Sequence, residues 1–588
     1  MSVKLDIFVE LRHQHAHAKA AINETVKETL HNVPLRMIDT KTGHLCEEAR
    51  LRSEFESDPA FGDLIVSMTE CMDTALIKRV VKEFFRYVMF SHRWQGREPL
   101  CSDVGDQSIY SLPTEEMPTA IKLQTFCRTA GKAGYRWAWS DTCCIDQKNQ
   151  REFEKSINSM FRWYHHSSLT FVYLWDVSPS LLPGGLTRSA WITRGWTLQE
   201  FLAPTVIQFF HHDWTPYLFD SHANHKKSDV IMGEIANSVG VPANDLLSFL
   251  PSSDEVRWKL HMASTRDTTV PEDAAYCLFG VFNVVMSVIP GETAHQAFGR
   301  LFQEVITCSK SEDVGCLAWV GEPSELNSCL PTQVKAYQGT CHTPVSIGEE
   351  AIQRSIAELE PLFSIEDEAH AVALYDELAR QPRAEFSGWR LRLPCIAFRI
   401  TAFEADRSSN TNVYTARAGA LEPTKICTAD KFPPKGLLLV CPWIHELIDL
   451  GPPHGPHRNT EVDDASTSGH FADTRVASVD KDPDESIRPR TPDDDRSQSD
   501  HLHVQYENSG PSTPSSFLPA SPLAPFDERT RALRFVARLR QPVTALLLSP
   551  QRHRVYKRVA TDHDIVIQLR KEAPLDRTTV IVKVVEII

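Results

Sequence analysis

The sequence lacks any apolar run that approaches the ~20 residues needed for a membrane-spanning helix. Its first residues, MSVKLDIFVELRHQHAHAKA, carry charges and histidines where a signal peptide needs an apolar core. It has no excess of basic residues either, since 62 Lys and Arg stand against 77 Asp and Glu, for a net charge of -15. That balance argues against a chain-wide surface for nucleic acid or acidic membranes.

Two further absences concern cofactors and redox state. There is no glycine-rich Walker loop, so the chain carries no nucleotide-driven switch of its own. The 14 cysteines form no short-range, evenly spaced framework, which indicates reduced thiols. We therefore expect a soluble cytoplasmic protein with no membrane span, no nucleic-acid partner and no tightly bound cofactor.

The length and composition predict several folded domains. The chain has 588 residues, of which 42% are hydrophobic and 9% aromatic, enough for a sizeable core. We predict a helical lead-in over 1–84, an α/β domain over 85–215, a helical extension over 216–330 and a mixed α/β region over 331–450. A linker over 451–525 precedes β-strands over 526–588, which we expect to pack with 385–450.

The stretch from Tyr135 to Asp176 organises the α/β domain. A buried strand, Trp137–Trp139, ends on Ser140 and Asp141. A helix follows, because apolar residues recur at helical spacing; these are Phe153, Ile157, Met160, Phe161 and Tyr164. A second apolar strand closes on Asp176, so the two strands should be parallel.

The flanking segments repeat this alternation. Arg86–Ser91 reads as a strand, Glu115–Ala133 as a helix, and Val206–Phe210 as a further strand after a short helix that ends before Pro204. The order predicts a doubly wound parallel sheet with helices on both faces. Ligands gather at the carboxyl ends of such strands; the polar residues expected there are Ser91, Asp141 and Asp176.

The carboxy-terminal part reads as β-rich. Gly451–Pro525 is rich in Pro, Ser, Asp and His, too polar to fold, and contains Thr-Pro and Ser-Pro dipeptides that phosphorylation could target. Beyond it, Leu533 to Leu539 alternate with arginines, which predicts a half-buried strand. Further strands are expected on both sides of the linker, at Trp389–Ile400, Leu437–Val440, Val543–Leu548, Asp564–Leu569 and Thr579–Val585.

Three blocks make the α/β domain recognisable: YVMFSHRW from Tyr87, SDTCCIDQ from Ser140 and TRGWTLQE from Thr193. Their order and spacing closely resemble the fungal heterokaryon-incompatibility (HET) domain, and MASTRDTTVPEDAAYCLFGVF from Met262 resembles a segment that often follows it. The chain departs from the family pattern where Gln95 precedes Gly96, and at Met262 and Pro290.

The resemblance implies a fold and a function. HET domains are similar to TIR domains, which implies a TIR-like, flavodoxin-like parallel sheet, here followed by the helical extension and the β-rich module. The family is associated with non-self recognition between fungal individuals and with cell death, through protein partners and self-association of the domain. In NAD-cleaving TIR domains the glutamate of a pattern like WTLQE is catalytic, which here is Glu200.

The residues themselves support that chemistry. Glu200 should lie near the start of a helix, where the dipole favours an ionised carboxylate, and four residues after Trp196 on the same face. Nicotinamide leaves NAD as a neutral molecule, so a single carboxylate suffices where sugar hydrolysis needs two. The residues expected to bind the NAD substrate are Ser91, Arg93, Trp94, Asp141, Arg194 and Trp196.

Plainer interpretations stay open. Glu200 would then pair with Arg194 or cap a backbone group, Trp196 would be core, and Cys143 and Cys144 would be buried thiols, since adjacent cysteines lack the spacing that zinc prefers. Three classes of function follow: an enzyme that hydrolyses NAD through Glu200, an adaptor that only assembles, and a metal-dependent hydrolase.

Overall fold

The computed structural model describes residues 2–180, 183–308, 314–339, 349–405, 412–428, 436–442, 528–552, 554–571 and 580–588. All described helices and strands belong to one compact unit formed by 1–450 and 528–588. The predicted linker over 451–525, with its Thr-Pro and Ser-Pro dipeptides, lies outside the described residues.

The amino-terminal lead-in is helical except for one hairpin. Its elements are α1 (Ser2–His31), β1 (Arg36–Asp39), β2 (Leu45–Glu47), α2 (Glu48–Glu56), α3 (Pro59–Glu70) and α4 (Thr74–Phe84). The hairpin turns through Gly43, whose φ of 75° suits glycine, and the Asp39 carboxylate accepts from the turn amides of Lys41 and Thr42. The interpretation of the lead-in as helices and turns did not include this hairpin, because strands of three or four residues are too short to show a periodic pattern.

The central sheet contains the predicted alternation of strands and helices. Its elements are β3 (Tyr87–His92), α5 (Cys101–Val104), α6 (Thr119–Lys132), β4 (Trp137–Ser140), α7 (Gln150–His166), β5 (Leu169–Tyr173), α8 (Gly185–Arg188), α9 (Thr197–Leu202) and β6 (Ile207–Phe210). The 6-stranded sheet has the order β2-β1-β4-β3-β5-β6. From β4 to β6 neighbouring strands are parallel, as predicted, while the lead-in hairpin adds antiparallel strands at one edge.

The central strands of the sheet are buried on both faces. Every residue of β3 and β4 is buried, as expected for strands covered on both faces. Helix α7 covers β4 with aromatic rings, and the centroids of Trp139 and Trp163 lie 5.9 Å apart. The Asn149 side chain accepts from the Glu152 amide and so caps the start of α7.

A helical extension follows the sheet. It comprises α10 (Asp229–Val239), α11 (Ala243–Leu247), α12 (Val256–Ala263), α13 (Asp273–Tyr276), α14 (Phe279–Phe282) and α15 (Ala294–Cys308). Gly280 of α14 packs so closely on α7 that an added Cβ would lie 2.2 Å from the Phe161 Cβ. The extension thus packs directly against the central α/β layer.

The carboxy-terminal region is β-rich. Its helices are α16 (Glu349–Leu359), α17 (Ile365–Ala379) and α18 (Glu528–Leu539). Its strands are β7 (Glu385–Ser387), β8 (Arg390–Ala405), β9 (Val413–Ala418), β10 (Thr424–Cys427), β11 (Leu438–Pro442), β12 (Val543–Arg552), β13 (Val555–Arg558), β14 (Ile565–Ile567) and β15 (Ile581–Ile587). They form a 9-stranded sheet in which β11 pairs with β12, and β8 with β15.

One predicted strand in this region was wrong. The alternating segment from Leu533 to Leu539 is part of helix α18. Its residues from Ala532 to Arg538 are all buried, including Arg534 and Arg538. The strand pattern arose because apolar residues fill most positions of a helix buried on several faces, so every second residue is apolar as well. Arg534 and Arg538, four residues apart, have the helical spacing instead.

In the part of the chain that the structure describes, no helix is both long enough and apolar enough to cross a membrane.

Candidate functional site

The carboxyl end of β3 meets the helix that carries Glu200. The Ser91 hydroxyl donates a hydrogen bond to Glu200 Oε2, and Trp191 Nε1 donates to the Ser91 oxygen at 2.8 Å. Ser91 is fully buried, and Glu200 is 4% exposed. The structure therefore brings together two residues that the sequence separates by 109 positions.

A second group of side chains surrounds Asp141 at the end of β4. Asp141 accepts from Trp94 Nε1 at 2.8 Å, and its other oxygen lies 3.2 Å from His92 Nε2. Burial acts to raise the pKa of Asp141, but the His92 hydrogen bond, the charges of His92 and Arg194 and the Trp94 bond hold that pKa below its usual value. The carboxylate is consequently ionised, and it fixes the orientation of Trp94.

His92 has a shifted pKa of its own in this group. Its burial, followed by the charge of Lys122, lowers the pKa of the imidazole. The side chain of Lys122 is itself buried and forms an ion pair with Glu98. His92 Nδ1 is buried and has no hydrogen-bond partner among the described residues.

The two arginines predicted to bind a dinucleotide lie at different depths. Arg194 donates to the His92 carbonyl oxygen at 3.2 Å, and its guanidinium lies 5.7 Å from the centre of the Trp94 ring. Arg93 is exposed, and its Nη1 lies 3.4 Å from the Ala190 carbonyl oxygen. Arg194 therefore belongs to the Asp141 group, whereas Arg93 lies on the surface beside the Trp191 segment.

Trp196 does not join the Ser91–Glu200 pair. It is 8% exposed, and its Nε1 donates to Asp273 Oδ2 of the helical extension at 2.9 Å. Burial raises the pKa of Asp273 to about 6. The indole thus packs between the domain and the extension, and its role in binding a dinucleotide stays a prediction.

The protonation of Glu200 differs from the expectation of an ionised group. Burial first, and then the charge of Asp141, raise the pKa of Glu200 from its ordinary value of 4.5 to about 7. Arg194, the Ser91 hydrogen bond and Arg266 act in the opposite direction. Helix α9 has only 6 residues, and a helix dipole typically contributes ~0.3–1 kcal/mol, less than the desolvation of a buried carboxylate.

Asp176, which the sequence placed at the rim, holds a neighbouring segment. Its carboxylate accepts from Ser189 Oγ and the Ala190 amide, at 2.7 and 2.6 Å, and so fixes the segment carrying Trp191.

Sequence reasoning missed several residues that form this site. His92, Trp191 and Arg266 were not proposed. His92 directly follows Ser91 in the recognised block, but nothing local to Trp191 or Arg266 indicates which side chain they contact.

Metal ligands are not grouped in the described part of the chain. No group of three or more His, Cys, Asp or Glu side chains there could hold an ion. Cys143 and Cys144 are buried free thiols, as the plainer interpretation expected.

Comparison with known proteins finds a family match for part of this sheet. The model of the family described as "Heterokaryon incompatibility protein (HET)" matches residues 87–184, from the start of β3 to the loop before α8. This segment is a HET domain. The family resemblance is thereby confirmed, and the first two of the three sequence blocks lie inside the matched segment.

One curated relative extends the similarity beyond the HET domain. Vegetative incompatibility protein HET-E-1 of Podospora anserina is 35% identical over 240 residues, which make up 40% of this chain and 16% of that protein. No solved structure matches the chain. The HET match itself ends before Trp191, Arg194 and Glu200.

Proposed function

We propose that the protein acts in the cytoplasm of a fungus in heterokaryon incompatibility, and that its HET domain signals cell death by cleaving NAD at the bond between nicotinamide and ribose. The observation that carries the enzymatic part is the Ser91–Glu200 pair at the carboxyl edge of the parallel sheet. Its relationship to HET-E-1 supports the role in incompatibility.

The strand order supports a TIR-like reading of the domain. Numbered along the chain, the parallel strands β3 to β6 are arranged 2-1-3-4, which is how a flavodoxin-like sheet begins. Such sheets bind ligands beyond the carboxyl ends of their strands. Ser91 and Asp141 lie there, and α9 brings Glu200 to the same edge.

The reaction needs one ionised carboxylate. The C–N bond to nicotinamide breaks, its electron pair stays on the ring nitrogen, and the ribose carbon develops positive charge before water adds and loses a proton. Ionised Glu200 stabilises that positive charge electrostatically. Because its pKa is about 7, the active form predominates only above neutral pH.

Access to Glu200 requires movement of the surrounding segments. Glu200 is 4% exposed, and the neighbouring Ser91 and Trp191 side chains are fully buried. In this proposal the described conformation is therefore the inactive one, in which NAD does not reach Glu200. Self-association or a partner protein opens the rim, and Arg93, Arg194 and Trp94 then offer two cations for the pyrophosphate and a ring for stacking.

An adaptor is the second candidate, and the burial of Glu200 favours it. In that case Ser91, Trp191 and Glu200 form a buried polar network that shapes the rim, and signalling proceeds through assembly alone. Both candidates involve assembly through the same domain, so the cleavage of NAD is what distinguishes them.

The test is nicotinamide release by the full-length protein, clustered on a multivalent support and mixed with NAD. Glu200→Gln keeps the side-chain volume and removes the charge, while Glu115→Gln removes an exposed carboxylate and serves as the control. Release that disappears only in Glu200→Gln supports the enzyme. No release from the clustered wild type above pH 7 overturns it and leaves the adaptor.

A further inference from the structure

The helical extension contacts the segment that leads into α9. Arg194 and Asp267 form a parallel β-bridge. The Asp267 amide donates to the Thr193 carbonyl at 2.6 Å, and the Gly195 amide donates to the Asp267 carbonyl at 2.9 Å. The approach is so close that a Cβ at Gly195 would lie 2.5 Å from Thr268 Cγ2. The extension therefore packs directly against the segment that precedes α9.

Arg266 reinforces that contact with its side chain. Its Nη1 donates to the Arg194 carbonyl at 3.0 Å and to Thr197 Oγ1 at 2.7 Å. The Thr197 hydroxyl lies in turn 2.7 Å from the carbonyl oxygen of Trp191, to which it donates. One guanidinium therefore links the segment before α9, the first residue of α9 and, through Thr197, the segment whose indole bonds Ser91.

The other two nitrogens of the Arg266 guanidinium make no hydrogen bond in the described parts of the chain. Arg266 is 6% exposed, and its Nε and Nη2 are buried without a hydrogen-bond partner in the described parts of the chain. Burial lowers the pKa of Arg266 to about 10, against the charges of Cys277 and Glu200, so the cation persists at neutral pH. Leaving buried donors unpaired is costly, and packing alone gives no reason to place a cation here.

We infer that Arg266 of the helical extension is a positioning residue for Glu200: it holds the first turn of α9 and supplies the buried positive charge that favours the ionised carboxylate. The α/β domain that carries Ser91 and Glu200 would then be incomplete as a catalytic unit without residues of the extension. The catalytic consequence rests on the proposed function, but the effect on Glu200 itself does not.

The charge of Arg266 acts together with the other groups that face Glu200. Asp141, following β4, opposes ionisation, while Arg194, before α9, and the Ser91 hydrogen bond from β3 favour it. Burial, followed by the charge of Glu200, raises the pKa of the Tyr164 phenol on α7. Because burial keeps Tyr164 protonated, the phenol adds no charge near Glu200. The positive charges that favour ionised Glu200 are those of Arg194 and Arg266.

The test measures the titration of Glu200 directly in the full-length protein. Infrared spectra recorded from pH 5 to 9 contain the carbonyl band of the protonated carboxyl, and subtraction of Glu200→Gln spectra assigns it. The variants are Arg266→Met, Arg266→Gln, which keeps a donor near Thr197 without the charge, and Arg266→Lys, which keeps the charge. Arg257→Met is the control, since Arg257 lies in α12 of the same extension and bonds Gly339 instead.

We expect the midpoint of Glu200 to rise by at least ~0.5 pH unit in Arg266→Met and Arg266→Gln, to stay near wild type in Arg266→Lys, and not to move in Arg257→Met. An unchanged midpoint in the charge-removing variants, or an equal shift in Arg257→Met, overturns the inference. Should Arg266→Met fail to fold, Arg266→Gln decides in the same way.

The pH profile of nicotinamide release provides the second readout. If clustered wild type cleaves NAD, the rising limb should move with the infrared midpoint in each variant, and a limb that stays in place overturns the positioning role. If the infrared midpoint shifts while no variant or wild type releases nicotinamide, the positioning inference stands and the proposed enzymatic function fails.

Discussion

The hydroxyl of Ser91, at the end of the first parallel strand, donates a hydrogen bond to the buried carboxyl of Glu200. The same oxygen accepts from the indole of Trp191. Protonation of Glu200, the position of the Trp191 segment and the strand end are therefore linked through one side chain.

Ser91→Ala should raise the pKa of Glu200 and destabilise the protein. The alanine removes a hydrogen bond that lowers this pKa and leaves the Trp191 donor unpaired, which costs ~1–2 kcal/mol of unfolding free energy. Urea denaturation of Ser91→Ala, Trp191→Phe and the double variant checks this. The loss from Ser91→Ala should shrink when phenylalanine has already removed the donor, and strictly additive losses would refute the linkage.

Asp141→Asn should have the opposite effect on Glu200. The charge of Asp141 raises the pKa of Glu200, so its removal should lower the midpoint by ~0.5–1 pH unit, while the amide oxygen can still accept from Trp94. Infrared titration of Glu200 measures the shift. Asp146→Asn, in the same loop, is the control; a midpoint that rises or does not move in Asp141→Asn contradicts the described electrostatics.

Glu200→Gln should change how stability depends on pH. In the folded protein the carboxyl keeps its proton up to about pH 7, whereas in the unfolded chain it ionises near its ordinary value of 4.5. The folded state thus binds more protons between these values, and wild-type stability falls as pH rises through that window.

Glutamine has no such titration. Relative to wild type, Glu200→Gln should gain on the order of 2–3 kcal/mol of unfolding free energy between pH 4.5 and pH 8. Denaturation curves at both pH values give this difference, because all other groups are shared by the two proteins. A difference that does not depend on pH would mean that Glu200 ionises normally in the folded state.

Arg558→Met should destabilise the contact between the carboxy-terminal sheet and residues 317–328. Arg558 of β13 donates to the Leu317 carbonyl at 2.7 Å, its guanidinium lies 3.6 Å from the centre of the Trp319 ring, and its amide donates to Ser328. Losing the buried side chain should cost ~2–4 kcal/mol. Thermal unfolding checks this against Lys557→Met, an exposed neighbour on the same strand; similar melting temperatures would contradict the prediction.

The sequence was sufficient where a simple geometric rule applies. Alternating strands and helices imply a parallel sheet, and parallel strands bring their carboxyl ends to one edge, so the meeting of Ser91 with the helix of Glu200 could be anticipated. The short hairpin of β1 and β2 could not, because three or four residues carry no periodic signal. The segment around Phe535 was misread because apolar residues fill most positions of a helix buried on several faces, so every second position is apolar as well.

The state of Glu200 could not be anticipated for a different reason. Its pKa depends on burial and on Asp141, Arg194 and Arg266, which come from distant parts of the chain. Local sequence supplies only the helix dipole, the weaker effect here. Likewise, the side chain of Trp196 was assigned to the rim from its spacing to Glu200, whereas Asp273, 77 residues away, determines where its indole points.

The most direct test of this account is nicotinamide release from NAD by the clustered full-length protein as a function of pH. The account predicts release that rises through about pH 7, as Glu200 ionises, persists in Glu115→Gln and is abolished in Glu200→Gln. Release that is equal in wild type and Glu200→Gln, or absent from clustered wild type at every pH, would contradict it.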